Sequence, residues 1–220
     1  MEAVTALILA GGDGTRFWPL KTNKMLFPFG SKTLIDLSVR DCLPKGISRI
    51  VIVTHPDNKE YFQKMSFDVP TVTVLQKKAR GMADAVLSAK SEIANTSLLV
   101  LIADDVVDKT LYETLLEKAA EKRAFGVLAA RKTERYFPGG YLRLDGDKVV
   151  GIAEKPGEGN EPSPYVTISG HFIRDANQFV SELERNVSGD DDVYEQALTS
   201  LMGYQDFLYV AYHGRWATLK

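Results

Sequence analysis

The sequence predicts an α/β fold, in which a mostly parallel sheet is flanked by helices. Three observations support this class: short apolar runs, helical repeats between them, and a glycine cluster directly after the first run. Strands of a parallel sheet are buried on both faces, so they read as continuous apolar segments. Their alternation with helices is typical of βαβ units, whose ligands bind beyond the carboxyl ends of the strands.

Four apolar segments in the first half of the chain are predicted strands. Each is a short run bounded by polar or turn-forming residues, and the fourth is the most apolar. The four segments are residues 4–10, Arg49–Thr54, Thr71–Leu75 and Ser97–Ala103.

Two repeats at helical spacing predict helices that pack against this sheet. The first repeat contains Met82, Val86, Ala89 and Ile93, and the second contains Leu111, Leu115, Leu116 and Ala119.

After about residue 138 the pattern changes to a hairpin, a polar loop, a strand, two helical stretches and a last strand. An Asp145-Gly146 turn between two alternating segments predicts the hairpin. The predicted strands are Gly140–Leu144, Lys148–Glu154, Tyr165–Ile173 and Phe207–Tyr212. Because no repeat or low-complexity linker is visible, we predict one domain over residues 1–220, divided near residue 137. The chain ends at Lys220 soon after a predicted strand, which is compatible with a missing C-terminal module.

Composition excludes several classes of protein. With 220 residues, 45% hydrophobic and 25% charged, the chain is neither disordered nor a coiled coil. Its apolar runs are far shorter than the roughly 20 residues that cross a bilayer, so we expect no membrane association. A single cysteine, Cys42, cannot form an internal disulfide, and no basic segment precedes the first apolar run. Both observations favour a cytoplasmic location.

The net charge of −2 gives no reason to expect nucleic-acid binding. Its distribution is uneven, because residues 1–80 hold 12 Lys+Arg against 7 Asp+Glu, a net of +5. A cationic first third suits a polyanionic small ligand such as a nucleotide, but on charge alone we favour chance surface variation as the explanation.

The most informative segment is the glycine loop after the first strand. It contains Gly11, Gly12 and Gly14, followed by the cations Arg16 and Lys24. Backbone without Cβ atoms allows close approach of a ligand, and successive N–H groups can hold phosphate oxygens. Neither the dinucleotide fingerprint nor the P-loop fits this segment. The alternative is a tight turn without a ligand.

The longer context resembles the signature of the sugar-phosphate nucleotidyltransferases, which make nucleotide sugars. Gly-Gly-x-Gly-Thr-Arg is followed by Pro19-Leu20 and by Lys24-x-x-x-Pro28. Further matches follow in the family's order along nearly the whole chain: Gln76, Gly81-Met82-Ala83, Ala103-Asp104-Asp105, Glu154-Lys155-Pro156 and Ser169-Gly170. The resemblance implies a Rossmann-like α/β fold of nucleotide-diphospho-sugar transferase type, with a mixed, mostly parallel sheet flanked by helices. It also implies a nucleotide-binding subregion over 1–137 and a sugar-binding subregion over 138–220.

The implied reaction is attack of a sugar-1-phosphate oxygen on the α-phosphorus of a nucleoside triphosphate, with loss of pyrophosphate. The expected partners are therefore these two substrates, with Mg²⁺ as cofactor; a homo-oligomer is also compatible with the sequence. Such catalysis is mostly positioning and charge neutralisation, so it needs no nucleophilic side chain. The three histidines share no metal-ligand spacing, and we interpret them as surface or core residues: His55, His171 and His213.

By this resemblance, Arg16 and Lys24 are catalytic and Asp104 is the metal ligand. The alternatives are solvated surface charge for the two cations and helix capping for Asp104, although Asp108 is the better-placed cap. The implied nucleotide-binding residues are Gly11, Gly12, Gly14, Thr15, Gln76 and Gly81. The implied sugar-phosphate-binding residues are Gly140, Glu154, Lys155 and Gly170. Each of these is alternatively a surface residue or a turn glycine.

One position departs from the family pattern. The family usually has an aspartate that binds metal two residues after a tryptophan, but here Trp216 is followed by Thr218. Either Asp104 binds the metal with phosphates and water only, or another acid such as Asp105 helps, or activity is reduced.

The base and sugar are also left open. The Gln76 and Gly81 segment is similar to thymidylyl- and uridylyltransferases acting on glucose-1-phosphate, and we favour this activity. Phe17-Trp18-Pro19 is similar to mannose-1-phosphate guanylyltransferases, which is one alternative. A regulatory homologue that binds nucleotide sugars without turnover is the other.

Overall fold

The computed structural model of the chain describes residues 3–12, 24–77, 80–186 and 192–218. The first half forms these elements in chain order: β1 (Val4–Ala10), β2 (Pro28–Phe29), β3 (Lys32–Thr33), β4 (Ile47–Thr54), α1 (Lys59–Lys64), β5 (Thr71–Leu75), α2 (Gly81–Ser88), β6 (Ser97–Ile102), β7 (Asp105–Val107) and α3 (Thr110–Lys122). The second half forms β8 (Gly126–Lys132), β9 (Gly140–Asp145), β10 (Lys148–Glu154), β11 (Tyr165–Ile173), α4 (Ala176–Arg185), α5 (Val193–Met202), β12 (Phe207–Ala211) and β13 (Trp216–Thr218). Short helices also span Lys24–Leu26, Asp36–Arg40 and Pro56–Asn58.

Nine of the described strands form one mixed sheet in the order β5-β4-β1-β6-β11-β8-β12-β10-β9. The strands β5, β4, β1 and β6 are mutually parallel. The strand β11 runs antiparallel to both of its main neighbours, β6 and β8, and the hairpin β9–β10 is antiparallel too. The predicted α/β class with a Rossmann-like mixed sheet is confirmed, and its parallel pairs are concentrated in the first half.

The apolar strands β1 and β6 lie in the middle of this sheet because they can be buried on both faces. Alternate residues of β1 enter opposite layers, with Ile8 on one side and Leu7 on the other, and both are fully buried. Helix α3 packs its buried Leu115 into the first layer. The helices α2, α4 and α5 contribute to the second layer, for example through Phe179. Two-sided burial of this kind is what the continuous apolar runs predict.

Two local predictions are corrected by the structure. The helical repeat that reaches Ile93 continues past the end of α2 at Ser88, after which the chain forms turns that still bury Ile93. Asp108 is not the side-chain cap of α3, because its carboxylate accepts hydrogen bonds from the Tyr212 hydroxyl and the Arg215 main chain. Tertiary contacts outweigh local capping preference at this position.

The parallel strands deliver their carboxyl ends to one edge of the sheet. Gly11 follows β1, Gln76 follows β5 and Asp104 follows β6. This edge is therefore where side chains and loops from distant parts of the sequence meet. Among the described residues, no helix combines the length and the apolarity that a membrane span requires.

Candidate functional site

A cavity of about 560 Å³ opens at the carboxyl ends of the parallel strands. It extends from the glycine loop to the hairpin β9–β10 and helix α5. All the predicted site residues that the structure describes line it: Gly11, Gly12, Lys24, Gln76, Gly81, Asp104, Gly140, Glu154, Lys155 and Gly170. Gly14, Thr15 and Arg16 lie outside the described residues.

Lys24 and Asp104 form an ion pair at the glycine-loop end of the cavity. Lys24 Nζ lies 2.6 Å from Asp104 Oδ2, and each side chain is 20% exposed. Neither residue is a solvated surface charge, and Asp104 is too far from the start of α3 at Thr110 to cap that helix. The pair therefore places a fixed ammonium group and a carboxylate beside the segment predicted to hold phosphates.

Asp105, in contrast, is buried and hydrogen-bonded within the protein. It is 4% exposed, and its Oδ2 accepts a hydrogen bond of 2.7 Å from the Ser169 N–H. Burial raises the pKa of the Asp105 carboxyl, while the side chains of Thr218 and Trp216 act in the opposite direction. A carboxylate bound in this way supports strand β11 and is poorly suited to an exchangeable ligand.

Thr218 lies directly opposite Asp105. The strands β13 and β7 are antiparallel, and their register pairs Thr218 with Asp105 and Trp216 with Val107. Asp105 Oδ1, Trp216 Nε1 and Thr218 Oγ1 are all buried. Although the Thr218 and Trp216 side chains act to lower the pKa of Asp105, no hydrogen bond of ordinary geometry joins any of these three atoms to a described residue. The position that departs from the family pattern is thus coupled to Asp105.

Asp104 is the carboxylate that could bind Mg²⁺ at the phosphate end of the cavity. Within the ranges that the structure describes, no three His, Cys, Asp or Glu side chains converge on a metal position. Mg²⁺ is usually bound through one or two carboxylates together with substrate phosphates and water. Asp104, which is partly exposed in the cavity wall, fits this donor set.

Gln76 is buried in the cavity wall and is not a surface glutamine. It is 2% exposed, and its Nε2 donates to the Gly81 carbonyl oxygen at 3.1 Å and to Asp84 Oδ2 at 2.9 Å. A Cβ atom on Gly11 would lie 2.0 Å from Gln76 Oε1, so any other residue at that position would displace the Gln76 amide. Gly81 opens α2 with a φ of +81°, in the left-handed region that favours glycine.

At the other end of the cavity, Glu154 and Lys155 form a second ion pair. Lys155 Nζ lies 3.1 Å from Glu154 Oε1, and the Lys155 N–H donates to the Gly139 carbonyl oxygen. A Cβ on Gly140 would lie 2.8 Å from Ile152 Cγ2, and one on Gly170 would lie 2.0 Å from the Val100 carbonyl oxygen. The packing of neighbouring strands alone therefore requires glycine at position 170.

Tyr194, His171 and Glu195 line the cavity and were not among the predicted site residues. The Tyr194 hydroxyl and His171 Nε2 are 2.7 Å apart and buried, and burial lowers the pKa of His171 to about 4, so the ring is neutral. Glu195 follows Tyr194 on α5 and also lines the cavity. The sequence gives little indication that Glu195 is a site residue, because a single glutamate in a helix is normally solvated.

Burial raises the pKa of Glu195 from the usual 4.5 to about 7, with Glu154 and Asp192 adding to the rise and Lys155 opposing it. Folding therefore takes up a proton at this group, so its contribution to stability falls as the pH rises from 4.5 through 7. We expect Glu195→Gln to be more stable than the wild type at pH 8, with a much smaller difference at pH 5. Urea unfolding at both pH values measures this, and an equal difference at both would contradict it.

The profile of the nucleotidyl transferase family matches residues 5–216 of this chain. The chain belongs to this family. Its resemblance to sugar-phosphate nucleotidyltransferases, predicted from the ordered motifs, is thereby confirmed. Among curated relatives, alginate biosynthesis protein AlgA of Pseudomonas putida is 29% identical over 231 residues. The match covers 91% of this chain and 46% of that protein. Glucose-1-phosphate thymidylyltransferase of Neisseria gonorrhoeae is 25% identical over 200 residues, which cover 85% and 67%.

A solved structure of UDP-glucose pyrophosphorylase complexed with UDP-glucose superposes with a TM-score of 0.84. The two chains are 19% identical, and the match covers 97% of this chain and 92% of that chain. At this identity the likeness establishes the fold. The chain spans about half the length of AlgA and two thirds of the length of the thymidylyltransferase.

Proposed function

We propose that this protein transfers a nucleotidyl group from a nucleoside triphosphate to a sugar-1-phosphate, giving a nucleotide sugar and pyrophosphate. The observation that carries the proposal is the shared cavity. Its glycine-loop end holds the Lys24–Asp104 pair, and its far end holds the Glu154–Lys155 pair. Two anionic substrates need two cationic groups at separate ends of one site, which this arrangement provides.

In the proposed mechanism the protein positions both substrates and neutralises their charge. The N–H groups of Gly11 and Gly12 and the Lys24 ammonium hold the triphosphate, with Arg16 of the same sequence motif as the expected second cation. Lys155 holds the sugar phosphate, and Glu154 accepts hydrogen bonds from sugar hydroxyls. Asp104 would hold Mg²⁺, which when bound neutralises phosphate oxygens. The cavity walls orient the two substrates for in-line attack.

The preferred substrates in this proposal are dTTP or UTP with glucose-1-phosphate. The thymidylyltransferase relative supports this choice by name, and Gln76 is placed as part of the cavity wall near the glycine loop. A mannose-1-phosphate guanylyltransferase remains an alternative because of the Phe17-Trp18-Pro19 segment. A cytoplasmic location and a homo-oligomeric state are part of the same proposal.

A non-catalytic nucleotide-sugar-binding protein is the second candidate. Thr218 stands where the family usually has a metal-binding aspartate, and it lies opposite Asp105 on the neighbouring strand. Under this alternative the cavity binds a nucleotide sugar without turnover.

A substrate matrix separates the two candidates. Five nucleoside triphosphates are each combined with several hexose-1-phosphates and Mg²⁺, and pyrophosphate release is followed beside nucleotide-sugar binding. Release that requires both substrates supports the transferase. Binding of a nucleotide sugar without release from any pair supports the regulatory protein, and the absence of both would contradict each proposal.

A further inference from the structure

Asp84 is a neighbour of Gln76 to which the sequence motifs assign no role. It lies in the first turn of α2, and its Oδ2 accepts a hydrogen bond of 2.9 Å from Gln76 Nε2. The same nitrogen donates to the Gly81 carbonyl oxygen at 3.1 Å. Both N–H bonds of the Gln76 amide are therefore directed at acceptors of helix α2.

This pair of acceptors determines which way the Gln76 amide faces. The oxygen and nitrogen ends of a glutamine side chain have nearly the same shape, so only hydrogen bonding distinguishes the two orientations. A flipped amide would place Oε1 against the Gly81 carbonyl oxygen and the Asp84 carboxylate, which are both acceptors. Because Gln76 is 2% exposed, little water can compensate for that mismatch. Oε1 is thus held on the Gly11 side.

The location of this amide connects it to a ligand. Gln76, Gly11 and Gly81 line one wall of the cavity, between the glycine loop and α2. An amide held in one orientation presents an acceptor and no donor on its free side. A base with a ring N–H can donate to such an acceptor, whereas a ring nitrogen with a lone pair is repelled by it.

We propose that Asp84 is a positioning residue that locks Gln76 as an acceptor and thereby sets base selectivity. The selected bases carry a ring N–H, as uracil, thymine and guanine do. Cytosine and adenine, which have an unprotonated ring nitrogen at the equivalent position, are disfavoured. The inference rests on the proposed function, since it takes the nucleoside to lie beside Gln76.

The test compares the wild type with Asp84→Asn, whose neutral amide can accept from or donate to Gln76. The kcat/KM is measured for UTP or dTTP against CTP, and for GTP against ATP, with one sugar-1-phosphate. We expect the wild-type preference for the ring N–H base to fall by about tenfold in Asp84→Asn, mostly through KM. Asp57→Asn is the matched control, because Asp57 is 84% exposed and lies outside the cavity; its preference should equal that of the wild type.

An equal loss of kcat/KM for all triphosphates, or an unchanged preference, would show that Asp84 only stabilises α2 and would overturn the inference. If circular dichroism shows that Asp84→Asn does not fold, Asp84→Ser, which also removes the carboxylate, replaces it in the same measurements.

Failure of the proposed function is seen separately, as the absence of pyrophosphate release by the wild type. In that case calorimetric titration with UMP against CMP, and GMP against AMP, still tests Asp84. Wild-type binding of no nucleotide, or a preference for CMP or AMP, would overturn it.

Discussion

Replacing Lys24 with methionine is expected to lower the rate of pyrophosphate release by about 10²–10³-fold, as loss of one preorganised charge-stabilising group does in other enzymes. The Lys24 ammonium lies 2.6 Å from Asp104 in the cavity wall, where phosphate charge would be held. Methionine keeps an unbranched apolar side chain that is one heavy atom shorter, and it removes the charge. Steady-state kinetics measures the effect, and we expect kcat to fall more than the affinity for the sugar-1-phosphate.

Lys32→Met is the matched control for this variant. Lys32 also pairs with an aspartate, because its Nζ lies 2.5 Å from Asp41 Oδ2, but its side chain is 49% exposed and outside the cavity. An exposed pair of this kind contributes at most about 1 kcal/mol to stability. If Lys24→Met and Lys32→Met released pyrophosphate at the same rate, Lys24 would act only as a surface cation. That result would contradict its proposed role in holding the triphosphate.

Replacing Thr218 with aspartate, which restores the usual family residue, is expected to destabilise this protein by about 3 kcal/mol. The new carboxylate would lie opposite the buried Asp105, on the neighbouring strand. Two carboxylates that are buried side by side cannot both be ionised without a large cost. Urea unfolding at pH 8 measures the loss of stability.

The double variant Asp105→Asn with Thr218→Asp is expected to recover most of that loss. The side-chain oxygen of the introduced asparagine can still accept from the Ser169 N–H, and its amide nitrogen can donate to the new carboxylate. Single and double variants form a thermodynamic cycle whose coupling energy reports the contact directly. Full stability of Thr218→Asp alone would mean that its side chain avoids Asp105, which contradicts the register of β7 and β13.

Much of the fold could be predicted because the strands β1 and β6 are buried on both faces, which leaves a continuous apolar run in the sequence. Strand β8 was not predicted. It contains the pair Ala129-Ala130, whose intrinsic preference for strands is low, and its place beside β11 and β12 depends on tertiary pairing. The end of α2 at Ser88 was also missed, since the helical spacing continues to Ile93 through buried turns.

The sequence predicted which residues line the candidate site better than it predicted the contacts between them. Motif order identified cavity-lining residues, but the contact between Lys24 and Asp104 joins positions 80 residues apart. Such a contact depends on the order of strands in the sheet, which local patterns do not encode. The pairing of Thr218 with Asp105 depends in the same way on the register of two three-residue strands. The sequence left open whether Asp105 helps to bind metal; its hydrogen bond to Ser169 favours a supporting role.

Mass spectrometry of the products formed by the wild type from a nucleoside triphosphate, a sugar-1-phosphate and Mg²⁺ is the most direct test of the proposed transfer. The shared cavity predicts a nucleotide sugar, formed in equal amount with pyrophosphate and only when both substrates are present. Unchanged substrates across the whole matrix, or a nucleoside mono- or diphosphate without attached sugar, would contradict it.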